Sequence, residues 1–238
     1  MRLDQELVVR KIYPTRAKAV AAIKSGLVMV NGDPAQKPSR QVDDTDEIAG
    51  GLLPYSSGRG SLKLQRALEA FNVNPSDYVC LDVGASTGGF TEVLLAHGAK
   101  RVIAVDVGTN QLIDDLKNDL RVLSLEKTDI RELAPIEPVD LIVVDVSFIS
   151  LTNIIDALVK WNAPQIIALI KPQFEVSRAV AARSGGVIKS ELERQNAIKN
   201  VIQSFEKSGY NQSGIIESPI KGGSGNTEYL AYLRRVAQ

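Results

Sequence analysis

The chain has 238 residues, and its 28 lysines and arginines balance 28 aspartates and glutamates. That length suits one large domain with a smaller companion and buries a sizeable core. Cys80 is the only cysteine and His97 the only histidine, which excludes a disulfide and a Cys/His zinc set and argues against a histidine-dependent hydrolase.

Charge is uneven along the chain. Residues 1–42 carry eight basic side chains (Arg2, Arg10, Lys11, Arg16, Lys18, Lys24, Lys37, Arg40) against three acids (Asp4, Glu6, Asp33). No run approaches the ~20 apolar residues of a membrane-spanning helix. Met1 leads into a charged amphipathic segment rather than a secretory signal, and a lone buried-looking cysteine suits a reducing compartment, so a cytoplasmic protein is expected.

In chain order, residues 2–9 read as a short helix with Leu3, Leu7 and Val8 on one face. Tyr13-Pro14 breaks it, Thr15 is placed to cap a second helix over 16–25, and Gly26 stops that helix. Residues 28–30 read as a strand and Asn31-Gly32 as a tight hairpin turn. Arg16, Lys18, Lys24 and the segment 37–40 are placed to share one positive face. Residues 1–49 thus form a first unit, and the glycine- and serine-rich stretch 50–62 reads as a flexible linker.

From residue 63 a helix runs to 71, and strands and helices then alternate. Strands are expected at 78–83, 101–106, 121–125, 139–146, 165–170, 212–217 and 227–235, with helices at 88–97, 110–118, 151–161 and 190–208. This is the pattern of an α/β domain, 63–238, built on a mostly parallel seven-stranded sheet covered on both faces. The last two strands have no helix between them, which puts one antiparallel strand in the sheet.

The first of these strands ends in Asp82-Val83-Gly84-Ala85-Ser86-Thr87-Gly88-Gly89-Phe90, a strand–turn–helix whose glycines let backbone approach a ligand. It falls where open α/β sheets bind ligands, at a strand's carboxyl end. The glycine spacing fits neither a dinucleotide fingerprint nor a phosphate-cradling loop. Asp106 ends the second strand, placed to accept ribose hydroxyls, and Asp129 follows the third, where an acid can meet an adenine amino group. Ribose and adenine without a phosphate cradle suggest S-adenosylmethionine, whose positive charges favour carboxylates such as Asp82 and Asp145. No metal is called for.

Lys63, Asp145, Lys171 and Glu228 fall at strand or loop positions on the same sheet edge. Burial favours a neutral amine and neighbouring acids favour an ammonium, so a lysine there can take the proton of a hydroxyl that attacks a methyl group. The same four residues also read as two solvent-side salt bridges, and spacing alone leaves both open.

The first unit resembles the RNA-binding domain of the ribosomal-protein S4 type, through Arg-Leu-Asp at 2–4, Thr-Arg-Ala-Lys-Ala at 15–19, Val-Asn-Gly at 30–32 and Lys-Pro-Ser at 37–39. That resemblance implies that Arg2, Arg16, Lys18, Asn31 and Lys37 contact RNA backbone. The whole chain resembles the hemolysin-like TlyA-type rRNA methyltransferases, whose catalytic domain is of the FtsJ ribose 2′-O-methyltransferase kind. The strings are 82–91, Val-Asp-Val-Gly at 105–108, Asp-Val-Ser-Phe-Ile-Ser-Leu at 145–151, Ile-Lys-Pro-Gln-Phe-Glu at 170–175, Ser-Pro-Ile-Lys-Gly at 218–222 and Gly-Asn-Thr-Glu-Tyr at 225–229.

The family's Lys-Asp-Lys-Glu tetrad carries over to Lys63, Asp145, Lys171 and Glu228, with Lys171 as base. Its cofactor contacts carry over to Gly84, Ser86, Thr87, Gly88, Gly89, Phe90, Asp106, Val107 and Asp129. The resemblance implies a Rossmann-like S-adenosylmethionine-dependent enzyme acting on ribosomal RNA or ribosomal subunits, with no membrane partner. Residues 55–63 rearrange the family's Tyr-Val-Ser-Arg-Gly-Gly-Leu-Lys and are one residue longer, and Asp129 stands where the family usually has asparagine. A pore-forming cytolysin, as the family's other name suggests, would need an amphipathic or apolar membrane segment. A non-catalytic RNA-binding protein would not need the tetrad, and a small-molecule methyltransferase leaves the basic first unit unexplained.

Overall fold

The computed structural model describes all residues except 11, 14, 25–27, 51–59 and 237–238. The expected helix stop at Gly26 and residues 51–59 of the expected 50–62 linker therefore lie outside the described residues. At its described ends the linker reading gives way, since Gly50 ends a strand and Ser61 and Leu62 open a helix. The chain divides into two units, Met1–Ser56 and Ser57–Gln238.

The first unit contains α1 (Leu3–Val9), α2 (Arg16–Lys24), β1 (Val28–Val30), β2 (Asp33–Pro34) and β3 (Ile48–Gly50). Leu3 and Leu7 bury the inner face of α1 against Ala19, Ala22 and Ile23 of α2 and Val28 and Val30 of β1. Thr15 caps α2 by accepting from the Lys18 amide. Asn31 and Gly32 both take positive φ, as a two-residue hairpin turn of this twist requires. β1 pairs antiparallel with β2 and with β3, a third strand that the sequence reading did not find.

The second unit begins with α3 (Ser61–Phe71) and continues through β4 (Val79–Val83), α4 (Gly89–Ala96), β5 (Arg101–Val105), α5 (Asp114–Lys117), β6 (Val122–Leu125) and β7 (Leu141–Val144). After a single 3-10 turn come α6 (Ile155–Val159), β8 (Gln165–Ile170), α7 (Pro172–Glu175), α8 (Arg178–Arg183), α9 (Glu191–Lys207), β9 (Tyr210–Glu217) and β10 (Tyr229–Arg235). The seven-stranded sheet has the order β6-β5-β4-β7-β8-β10-β9. All pairings are parallel except those of β10, which runs antiparallel to both β8 and β9.

Strand order reverses between β4 and β7, so the crevice beyond their carboxyl ends is the topological switch point. Val83 pairs with Val105 on one side and Val144 on the other, which sets Gly84, Asp106 and Asp145 in one row at the sheet's edge. Leu81, Val83, Ile103, Val105, Ile142, Val144, Ile166 and Ala168 bury one sheet face under α6 and α9 residues such as Leu158, Val201 and Phe205. No helix among the described residues is long and apolar enough to cross a membrane.

Two expected helices are shorter than the pattern suggested. Over 110–118 only Asp114–Lys117 is helical, because the Glu126 carboxylate collects the amides of Asn110, Gln111 and Leu112 at 2.6, 2.9 and 3.2 Å. Those amides are the donors a helix start leaves free. Over 151–161 the 3-10 turn and α6 together replace one continuous helix. α7 and α8 lie in a stretch the sequence reading left unassigned.

Candidate functional site

Four elements converge on the switch point. The antiparallel register Tyr229↔Ile170 sets Glu228 level with Lys171 at the end of β8. Asp145 follows β7, and Lys63 stands in the first turn of α3. α3 is held on β10 by the stacked rings of Phe71 and Tyr232, 5.4 Å apart, and its first residues abut α4. A Cβ on Gly89 would lie 3.1 Å from the Ser61 amide nitrogen, so glycine there permits the helices' close approach.

The four side chains meet. Lys63 Nζ lies 2.7 Å from Glu228 Oε2 and 4.0 Å from Asp145 Oδ2, while Lys171 Nζ lies 2.6 Å from Asp145 Oδ1. Lys171 also donates to Ser147 Oγ at 2.7 Å, a partner the sequence reading missed although Ser147 is two residues beyond Asp145. Lys63, Lys171 and Glu228 are buried. These are not solvent-side salt bridges, because two ammonium groups and two carboxylates share one desolvated corner. Lys63 takes its place there despite the rearranged segment before it.

Two adjoining hollows flank Asp145. The larger, about 600 Å³, is bounded by Gly84, Ser86, Asp106, Val107, Asp129 and Asp145, with Ile130, Ile149 and Phe148 supplying apolar wall. The smaller, about 350 Å³, is bounded by Ser86, Thr87, Gly89, Phe90, Asp145 and Lys171. Gly84, Ser86, Asp145 and Ser147 belong to both. Asp106 accepts from the Ser86 amide at 2.8 Å and the Gly108 amide at 2.7 Å, joining two loops while keeping lone pairs for a ligand. Asp129 is held below the usual carboxylate range by the Arg131 guanidinium. Glu126, beside Lys117 and the three amides, is held down at about 2 and fixes the loop that carries Val107 and Gln111.

Asp82 and Gly88 stand apart from the two hollows. Asp82 is one residue short of the strand end, so its side chain enters the interface between sheet and α4 and borders neither hollow. It accepts from Thr91 Oγ1 at 2.6 Å, its other oxygen finds no hydrogen-bond partner among the described residues, and burial pushes it up to about 7. Gly88 faces Leu112 and Leu116, and its φ of 102° explains the glycine by backbone rather than by ligand contact. Gly84 is the close-approach position, since a Cβ there would lie 2.6 Å from the Asp145 carbonyl oxygen.

Segment 147–151 is tied to 171–175 at three points. Ser147 meets Lys171, the Phe148 and Phe174 rings sit 5.4 Å apart, and Glu175 accepts from Ser150 Oγ at 2.5 Å and the Leu151 amide at 2.9 Å. Phe148 is 91% exposed with a φ of 65°, a conformation costing a bulky residue on the order of 1–3 kcal/mol.

In the first unit, Arg2 and Arg16 converge with Lys24 and Ser39 on a cavity of about 660 Å³ floored by Asp4. Asp4 accepts from Arg2 Nε at 3.0 Å and Nη2 at 3.1 Å, and from Arg16 Nε at 2.8 Å. The Arg2 guanidinium, with Arg16, holds the Asp4 carboxyl down at about 2. Lys18 and Lys37 are not brought to this cavity. Asn31 donates to Asp46 Oδ1 and accepts from the Glu47 amide, so its amide is committed to the neighbouring loop. No group of three or more potential metal ligands occurs among the described residues.

The model of the FtsJ-like methyltransferase family matches residues 56–235, and that of the S4 domain matches residues 1–48. The 16S/23S rRNA (cytidine-2′-O)-methyltransferase TlyA of Mycobacterium tuberculosis is 42% identical, over 98% of this chain and 89% of that relative. Hemolysin A of Brachyspira hyodysenteriae is 41% identical, over 98% of this chain and 99% of the relative. A solved structure described as a hemolysin, from Streptococcus thermophilus, superposes with a TM-score of 0.75 at 38% identity, covering 100% of this chain and 89% of that one.

Proposed function

This chain belongs to the FtsJ-like methyltransferase family, in the TlyA-type group that carries an S4 domain, and on that premise we propose that it methylates a ribose 2′-hydroxyl of ribosomal RNA. By likeness to the mycobacterial relative, the target nucleotide is a cytidine. The observation that carries the reading is the buried Lys63–Asp145–Lys171–Glu228 cluster standing against a hollow edged with carboxylates.

The hollow fits S-adenosylmethionine. Asp106 and Asp129 offer acceptors to hydroxyl and amino groups, Ile130 and Ile149 offer an apolar wall to a purine, and Gly84 lets the Asp145 backbone close up beside the hollow. When bound, S-adenosylmethionine supplies an electrophilic methyl group on a sulfonium sulfur that keeps the electron pair of the breaking bond. Asp145 borders both hollows and carries the negative charge that a sulfonium favours.

The chain's own work is deprotonation and alignment. Lys171 is the group placed to take the 2′-hydroxyl proton, and its Nζ lies 2.6 Å from Asp145 Oδ1 and 2.7 Å from Ser147 Oγ, partners that would hold the proton once taken. Lys63, fixed by Glu228, balances Asp145 from its other side. Holding nucleophile and methyl in line supplies most of the acceleration. Phe148 offers a face on which the target base can stack, worth roughly 1–3 kcal/mol. Arg2 and Arg16 of the S4 domain grip phosphates, which adds affinity without reading sequence.

The test is to treat rRNA from a strain lacking this protein with purified protein and S-adenosylmethionine, then map the methyl groups. A 2′-O-methylated cytidine absent from untreated rRNA is expected. A methyl group on a base, or none, would overturn the reading.

A further inference from the structure

The tetrad is electrically closed, with two lysines facing two carboxylates. A ribose 2′-hydroxyl inside an RNA chain sits between phosphodiesters on the 3′ and 5′ sides of the same sugar. The tetrad's own carboxylates already occupy its two lysines. The phosphates therefore need cations from outside the tetrad.

One surface supplies them. Residues 176–190 contain Arg178, Arg183 and Lys189 and no acid, and residues 218–227 contain Lys221 and no acid. All four basic side chains are exposed and have no ion pair among the described residues. Elsewhere in this unit, Arg66, Arg101, Arg121, Arg131 and Arg194 each hold a carboxylate. Arg234 and Arg235 also lack an ion pair among the described residues, but they close β10 at the end away from Glu228. Arg178 and Arg183, exposed and unpaired on an acid-free surface that adjoins the tetrad, are positioned for an external anion.

The two segments are joined and anchored at the tetrad. Asn226, 1% exposed, donates to the Gly186 carbonyl at 2.8 Å and accepts from the Ile188 amide at 2.9 Å, clamping one segment to the other. Two residues further on is Glu228. Gly222, next to Lys221, packs so tightly on Glu228 that a Cβ would collide with Oε1. The other segment begins after α7, which directly follows Lys171. Both flanks of the surface thus spring from tetrad residues.

The geometry points to this surface as the seat of the phosphodiester backbone flanking the target ribose, with Arg178, Arg183, Lys189 and Lys221 as its contacts. The inference rests on the proposed RNA methylation. It is tested in the full chain with R178Q/R183Q/K189Q, measuring affinity for unmethylated rRNA across a salt series and S-adenosylmethionine binding by calorimetry. Each lost phosphate contact flattens the slope of log affinity against log salt by roughly 0.7–0.9. The triple variant is therefore expected to flatten it by roughly 2 and to bind about tenfold or more weakly at 0.1 M salt, with cofactor affinity unchanged.

A wild-type slope in a variant that binds cofactor normally would overturn the inference. If the triple variant loses cofactor binding, R178K/R183K against R178Q/R183Q decides it, the lysine pair keeping the slope and the glutamine pair losing it; equal slopes overturn it. Wild-type protein that neither binds nor methylates the rRNA would instead sink the underlying reading.

Discussion

Asp4 in the first unit and Asp145 in the second each stand between two basic side chains. Asp4 holds Arg2 and Arg16 at 2.8–3.1 Å, and Asp145 holds Lys171 at 2.6 Å with Lys63 at 4.0 Å. The arrangement is the same and the chemistry is opposite. A guanidinium keeps its proton at any working pH and presents a rigid fork, so an acid beneath two arginines builds a grip for phosphate. An ammonium can surrender its proton when buried, so an acid between two lysines builds a place where a proton can be taken and held. Arginine against lysine, on the same carboxylate, separates a binding site from a reacting one.

The sharpest way to break that contrast is Lys171→Arg. It keeps charge and reach but removes a dischargeable base, and methyl transfer in a single turnover should fall by about 10³-fold, within the usual span for a positioned base. Calorimetric cofactor affinity should stay within about threefold of wild type. A variant retaining a tenth of the rate would mean that Lys171 acts only as charge.

The matching change in the first unit is Asp4→Asn, which keeps the shape and frees the two arginines. Affinity for rRNA should drop roughly tenfold, about 1.4 kcal/mol, while turnover at saturating RNA stays near wild type. A fall in turnover with unchanged affinity would show that the clamp does not serve binding.

Asp82 is a buried carboxylate that accepts from a hydroxyl instead of a base, and it gives the smallest effect. Burial pushes it up to about 7, whereas an unfolded aspartate titrates near ~4. Between those values the folded protein keeps a proton that the unfolded chain releases, so stability falls as pH rises through the window and stays lower above it. Asp82→Asn removes that dependence. Its melting temperature relative to wild type should climb by a few degrees from pH 5 to pH 8, and a constant difference would contradict the assignment.

Much of this was legible in the sequence because the site sits at strand ends. Asp106, Asp145 and Lys171 each terminate an apolar run, and parallel register then lines such residues up without further information. The setting of Asp82 was not legible, because a parallel sheet is buried on both faces and one residue's difference in position decides between the crevice and the helix–sheet interface where Asp82 meets Thr91. Glu126 was invisible because its effect is non-local, drawing three amides from a segment whose own residues favour a helix. Ser147 and Glu175 lay inside a legible string, but their partners across 24 residues could be seen only once folded. Arg16 read as part of a positive face and Arg2 as an RNA contact implied by the resemblance, yet the acid that aims them is a buried helix residue that amphipathic counting would place outside.

Gly84 carries a last consequence. A Cβ on it would meet the Asp145 carbonyl oxygen at 2.6 Å, so the turns after β4 and β7 run side by side with no space for a methyl group between them. Re-engineering this scaffold toward another acceptor can begin at the exposed Phe148. Residue 84 offers no such choice, because any side chain placed there would push two backbones of the site apart.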